Sequence, residues 1–260
     1  MKKIIQEFFG KFGYVIHKKT RRWEPAANLN FLGEQVFSTD CELKIIEKNM
    51  KFTLTSPARM AATIRSLKYV SNNKIAGAFV ECGVWKGGQI LAGAEQLELL
   101  NDFREIYLYD TFSGMTSPAE VDVDLRNDSA IDQLKFIEPT ADNLWAAVTA
   151  EEVEENLRTI EYPRKYFRFI VGDVMETLMR KDNLPSSIAV LRLDTDWFDS
   201  TYQELKVLYP LLSPGGVLLI DDYGHWKGSK LAAEKFFQEI GIDPFWSAVD
   251  YSCVMHVKIN

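Results

Sequence analysis

The residues best suited to chemistry cluster at the end of an apolar run. LRLDTDWFDSTY (191–202) places Asp194 and Asp196 one residue apart, with Asp199 close behind. A second acidic pair, Asp221-Asp222, ends the run VLLIDD, and Asp221 lies 27 positions beyond Asp194. That interval holds one helix and a turn at SPGG (213–216), as in a βαβ unit, so the two runs should be neighbouring strands whose carboxyl ends meet. Carboxylates gathered at one edge raise each other's pKa unless a cation neutralises them. A hard divalent ion, Mg2+, meets that need and leaves coordination positions open for substrate oxygens. Asp194, Asp221 and Asp222 are the expected metal ligands, and Asp196 is then free to act as a general base on an acceptor hydroxyl. His225 is close enough to serve as an alternative base or as a partner of the ligands, though a lone histidine after a strand is commonly structural. Asp199 is expected to cap the helix beginning near Ser200.

A second constellation is VECGVWKGG (80–88), at a strand-to-helix turn. Gly83, Gly87 and Gly88 allow a sharp turn and a close approach to a ligand, as in nucleotide-cofactor folds. The stretch is neither G-x-G-x-x-G nor a P-loop. Glu81 would repel a pyrophosphate but could bind a cationic group such as an ammonium. Asp110 ends the next strand, where an acid can accept the hydroxyls of an adenosine ribose. Gly172-Asp173 ends the third strand and could meet an adenine edge. Acids at successive strand tips without a phosphate-binding lysine fit S-adenosylmethionine better than NAD. Singly, Glu81 or Asp110 could merely cap a helix or turn; as a set on one sheet edge they fit a ligand site.

These groups need a scaffold of strands covered on both faces. Continuous apolar runs predict strands at 76–82, 106–110, 167–171, 188–194 and 217–221, with helices at about 88–100, 151–160, 173–182, 200–211 and 228–239. Ser56 and Pro57 open an earlier helix running through Val70. Alternating strand and helix predict an α/β, Rossmann-like, mostly parallel sheet, closed by an antiparallel C-terminal hairpin in FWSAVDYSCVMHVKIN. Residues 113–150 are too long for an ordinary loop and read as a lid or cap insertion near the ligand side. The domain is expected to span 51–260, preceded by an arm at 1–50.

The net charge of −7 over 260 residues argues against nucleic acid as the main partner. Residues 1–22 hold seven Lys or Arg and one Glu, so the remainder sums to −13. Their apolar residues recur at helical spacing, suggesting an amphipathic helix that packs on the domain or on a second subunit, or lies on an anionic membrane surface. The stretch lacks a signal-peptide pattern, and no apolar run approaches a membrane span. Cys41, Cys82 and Cys253 form no zinc or redox spacing and read as buried free thiols in a reducing, cytoplasmic compartment.

VECGVWKGGQ, LYDTFSGM, and LRLDTDWFDSTY with YPLLSPGGVLLIDDYGHWKGSKLAAEKFF resemble the TylF/macrocin O-methyltransferase family over about residues 52–240. The D-T-D…D-D-Y-G-H combination is specific. The resemblance implies a class I methyltransferase fold and methylation of sugar hydroxyls of natural products, using S-adenosylmethionine and Mg2+. It also implies metal binding by Asp194, Asp221 and Asp222, with Asp196 as base. Cofactor contacts are implied for Glu81, the glycine turn, Asp110, Ser113, Asp173 and the segment TLTSPAR, which includes Thr55. Gln89 departs from the small hydroxyl residue common at its position, and residues 1–50 and 113–150 match poorly. The expectation is an O-methyltransferase acting on a sugar or glycosylated metabolite, forming a homodimer. The alternatives are an NAD(P)-dependent oxidoreductase and a non-catalytic membrane-surface protein.

Overall fold

Seven strands form one sheet in the order β3-β2-β1-β4-β5-β7-β6. The strands are β1 (Ala78–Cys82), β2 (Ile106–Asp110), β3 (Phe167–Val171), β4 (Ile188–Leu193), β5 (Leu212–Ile220), β6 (Ser247–Ala248) and β7 (Val254–Val257). The computed structural model describes residues 39–259, so the amphipathic helix and the membrane or subunit contacts expected for residues 1–22 lie outside the described residues. The first five strands pair in parallel, and β7 pairs antiparallel with both β5 and β6, giving the expected hairpin at the sheet edge.

The helices are α1 (Asp40–Asn49), α2 (Pro57–Asn72), α3 (Gly88–Leu99), α4 (Ala130–Leu134), α5 (Ala150–Leu157), α6 (Val174–Thr177), α7 (Phe198–Leu208) and α8 (Lys227–Glu239). They cover both faces of the sheet. Phe79, Leu108 and Leu219 pack with Leu67, Ile90 and Val153 on one face, while Val80, Tyr109, Leu191 and Leu218 pack with Leu205 and Phe236 on the other. The central strands are therefore largely apolar on both faces, which explains the continuous apolar runs. Ser56 caps α2 through the Arg59 N–H, with Pro57 in the first turn, as expected.

Four details differ from the sequence reading. SPGG is not a turn but the first half of β5, because the Gly215 N–H donates to the Lys258 carbonyl and the Lys258 N–H to Gly216. The helix expected over 173–182 stops at Thr177, and a short 3-10 turn follows at Lys181–Asn183. Helix α1 lies in a stretch without a clear pattern and is started by the Thr39 side chain; Asn49 ties it to Glu95 of α3. Cys82 and Cys253 are buried free thiols, but Cys41 is exposed, since it sits on the outer side of α1.

Strand order changes direction between β1 and β4. At such a switch point the following loops leave on opposite faces and a crevice opens beyond the strand ends.

Candidate active site

The crevice is occupied by a cavity of about 240 Å3 whose lining includes Glu81, Asp110, Asp173, Asp194, Asp196 and Asp222. Backbone ties hold its floor. The Asp194 N–H donates to the Cys82 carbonyl (2.8 Å) and the Asp221 N–H to the Leu193 carbonyl (2.9 Å), so the tips of β1, β4 and β5 meet side by side. Asp194, Asp221 and Asp222 each present an oxygen, and these oxygens lie within 4.8 Å of one another.

A chain of ion pairs runs through this acidic centre. Arg192 is fully buried; its Nη1 donates to Glu81 (2.8 Å) and Asp194 (2.7 Å), and its Nη2 to Asp221. Arg59 of α2 also reaches Asp221 and pairs with Asp250 at 2.8 Å. With Asp196 and Asp222, six carboxyl groups face two guanidinium groups, an excess of four formal negative charges. Two arginines thus supply part of the neutralisation that the sequence reading gave to a metal alone. Burial raises the pKa of Glu81, Asp194, Asp221 and Asp222, with Arg192 opposing the shift at the first three. Asp196 is pushed up to about 7, chiefly by burial. The cause is shared: a carboxylate stripped of water and crowded by like charge favours a proton or a cation.

The bend from Asp194 to Trp197 is fixed from several sides. Asp196 has φ +66°, a left-handed conformation that Asp tolerates better than most residues. Beneath it, Glu204 of α7 is fully buried, and both of its oxygens accept from the Thr195 hydroxyl, at 3.0 and 3.1 Å. Asp199 does not cap α7. The helix starts two residues before the expected one, with Trp197 at the N-cap and Asp199 exposed in the first turn.

Gly83 and Gly87 turn the backbone as expected, with φ of +82° and +85°, and neighbouring backbone also crowds Gly83 and Gly88. A Cβ on Gly83 would lie 1.9 Å from the Asp194 carbonyl oxygen, and one on Gly88 would lie 2.6 Å from the Phe52 carbonyl oxygen. These two positions are small because backbone packs against backbone. Gly83 lines the cavity; Gly87, which opens α3 in a left-handed conformation, and Gly88 do not. Gly83→Ala is expected to cost about 1–3 kcal/mol by overpacking, more with its φ of +82°, and chemical denaturation measures it. An unchanged midpoint would show that β1 and β4 can separate freely at this point.

Thr55, Glu81, Asp110 and Asp173 line the cavity, whereas Ser113 and His225 do not. His225 instead packs edge-on against Trp226 and is half-buried. Asp110 is largely engaged by its own surroundings: Oδ2 accepts from the Val84 and Trp85 N–H groups (2.6 and 3.1 Å) and Oδ1 from Phe112 (2.8 Å). Asp173 accepts from the Met175 N–H and starts α6. Gln89 reaches across to donate to Thr55 at 2.7 Å, so the residue that departs from the family pattern holds the TLTSPAR segment in place.

Sequence reasoning missed Arg192 and Asp250, and gave Arg59 only a place in the TLTSPAR segment, not its pairing with Asp221. Arg192 carried a readable signal: a charge inside a strand covered on both faces must find buried partners. Asp250 carried none, since it reaches the site from the C-terminal hairpin.

The macrocin O-methyltransferase (TylF) profile matches residues 38–258. The chain belongs to that family. Among relatives of this chain, demethyldecarbamoylnovobiocin O-methyltransferase of Streptomyces niveus is 30% identical over 177 residues, covering 66% of this chain and 62% of that protein. The 8-demethyl-8-(2,3-dimethoxy-alpha-L-rhamnosyl)-tetracenomycin-C 4'-O-methyltransferase of Streptomyces olivaceus is 34% identical over 154 residues, 57% of this chain and 54% of that protein. The chain thus spans less than two thirds of the length of these curated relatives. The solved structure of the O-methyltransferase NovP superposes with a TM-score of 0.69 at 27% identity, covering 80% of this chain and 83% of that one.

Proposed function

We propose that this TylF-family protein is an S-adenosylmethionine- and Mg2+-dependent O-methyltransferase acting on a hydroxyl of a sugar or glycosylated metabolite. The observation that carries the reading is the convergence of Asp194, Asp221 and Asp222 at the sheet's switch point, beside a cavity that also holds Glu81 and Asp196. The names of the relatives support methyl transfer to oxygen and a sugar-bearing acceptor.

The residues fit a hard dication. Asp222 Oδ2 is buried with no hydrogen-bond partner, and Asp194 opens onto the cavity. The Asp221 oxygens are taken by the two arginines, but a carboxylate oxygen has a second lone pair to offer. When bound, Mg2+ would supply Lewis acidity at an acceptor oxygen. Glu81 Oε2, also buried without a partner, is suited to a cationic donor such as the ammonium of S-adenosylmethionine. Asp196 lines the cavity beside Asp222, and in this reading it takes the acceptor proton at its carboxylate. Holding acceptor and donor in one walled cavity lowers the entropic part of the barrier.

Calorimetry with S-adenosylmethionine and NAD, and a transfer screen over sugar-bearing acceptors with and without EDTA, test the reading. Binding of S-adenosylmethionine alone, with turnover abolished by EDTA and restored by Mg2+, is expected. Binding of NAD instead, or turnover indifferent to EDTA, would replace the reading or remove the metal from it.

A further inference from the structure

Asp122 is 1% exposed although its neighbours in the insertion between β2 and α5 are partly exposed. Both oxygens of its carboxylate are engaged. Oδ1 accepts from the Phe198 N–H at 2.8 Å, 76 positions along the chain, and Oδ2 accepts from the Ala119 N–H at 2.7 Å. Phe198 is the first residue of α7, and the N-cap residue, Trp197, makes no side-chain cap. A carboxylate from the insertion therefore satisfies a free N–H at the start of α7, as an N-cap side chain does one or two residues further on, and its charge suits the helix start.

The surrounding chain is shaped around this contact. A Cβ on Gly228, in the first turn of α8, would lie 1.8 Å from Asp122 Oδ1. The Trp197 indole donates to the Thr116 carbonyl at 3.0 Å, and the Lys227 N–H donates to the Val123 carbonyl at 2.9 Å. Trp197, Trp226, Ala130 and Leu134 form a separate small core under these bonds. The insertion is thus bound both to the segment that carries Asp194 and Asp196 and to the one that follows Asp221 and Asp222. Its residues Gly114, Met115, Thr116 and Ala146 line the cavity.

We infer that Asp122 is a positioning residue: by capping α7 from the insertion it holds the Asp194–Trp197 bend, with Asp196 in its left-handed conformation, against the wall of the cavity. Asp122 touches neither reactant and acts through Phe198 and the bend. The catalytic part of this role rests on the methyltransferase reading above.

The test combines kinetics with hydrogen exchange on Asp122→Ala, Asp122→Asn and Gly228→Ala in the full chain. Loss of a cap bond should speed exchange of the Phe198 amide by about 3- to 30-fold in Asp122→Ala, with the β1 and β4 amides unchanged. Displacement of the bend should lower kcat by on the order of 10- to 100-fold, with S-adenosylmethionine affinity near wild type. Asp122→Asn keeps the volume and one oxygen for Phe198 but turns its amide toward the Ala119 N–H, and should recover part of the rate together with part of the Phe198 protection. Gly228→Ala reaches the same contact from the other side and should reproduce the exchange signature should Asp122→Ala fold poorly. Unchanged Phe198 exchange in Asp122→Ala, an unchanged kcat despite faster exchange, or an equal loss of cofactor affinity would overturn the inference. A wild-type protein that methylates no acceptor would refute the activity reading, and the exchange results would then decide the clamp alone.

Discussion

Asp196→Asn is expected to lower methyl transfer by about 10²- to 10⁴-fold, the usual contribution of a positioned general base, while S-adenosylmethionine affinity stays near wild type. Asn is the right probe because of the backbone. Asp196 has φ +66°, and Asn enters that left-handed region as readily as Asp, whereas Ala would add strain to the loss of the carboxyl. Asp196→Gly serves as a second variant, since glycine accepts the angle and carries no oxygen. Both variants should lose the rate and keep the fold, as read by kcat, calorimetric affinity and the melting temperature. A fully active Asn variant would take Asp196 out of the mechanism. Loss of cofactor binding in both would move it to the cofactor site.

How legible each feature is in the sequence depends on how local its cause is. IYLYD becomes a strand over the expected residues because it is apolar on both faces, and FRFIV because its aromatic and β-branched residues outweigh the exposed Arg168, in each case a property of the run itself. SPGG reads as a turn, yet its fate depends on Lys258, more than 40 residues away, which offers the partner groups that make those residues a strand. Asp199 looks like a helix cap by position, but Asp122 reaches Phe198 from the insertion and takes that place. The acids at the strand tips are legible because a parallel sheet brings its carboxyl ends together. Their neutralisation is not, because Arg59 comes from α2 and Asp250 from the hairpin. Gly83 and Gly88 stand out as turn residues, but their packing against the Asp194 and Phe52 carbonyls is set by distant chain and is not readable from the stretch itself.

Arg192→Met should destabilise the fold more than Gly83→Ala or Asp196→Asn. It preserves much of the side-chain volume and removes the charge between Glu81, Asp194 and Asp221, all three of which accept hydrogen bonds from that guanidinium. Breaking a buried pair by removing one partner costs about 3–5 kcal/mol, because the other charges stay buried without compensation. For a domain of this size each kcal/mol lowers Tm by roughly 2–4 °C, so a fall on the order of 10 °C is expected in EDTA. Arg192→Lys should fall between wild type and Met, since one ammonium keeps the charge but cannot reproduce the planar fork that spans three carboxylates. Mg2+ should raise Tm more in Arg192→Met than in wild type. A ligand that binds only the folded state stabilises according to its affinity, and a site that has lost its internal cation should hold an added one more tightly. Thermal melts of the three proteins with EDTA and with Mg2+ separate the contributions. Equal Mg2+ shifts in all three would mean that the metal and Arg192 do not share their carboxylates. A Met variant melting with wild type would mean that Arg59 alone suffices to hold the acids together.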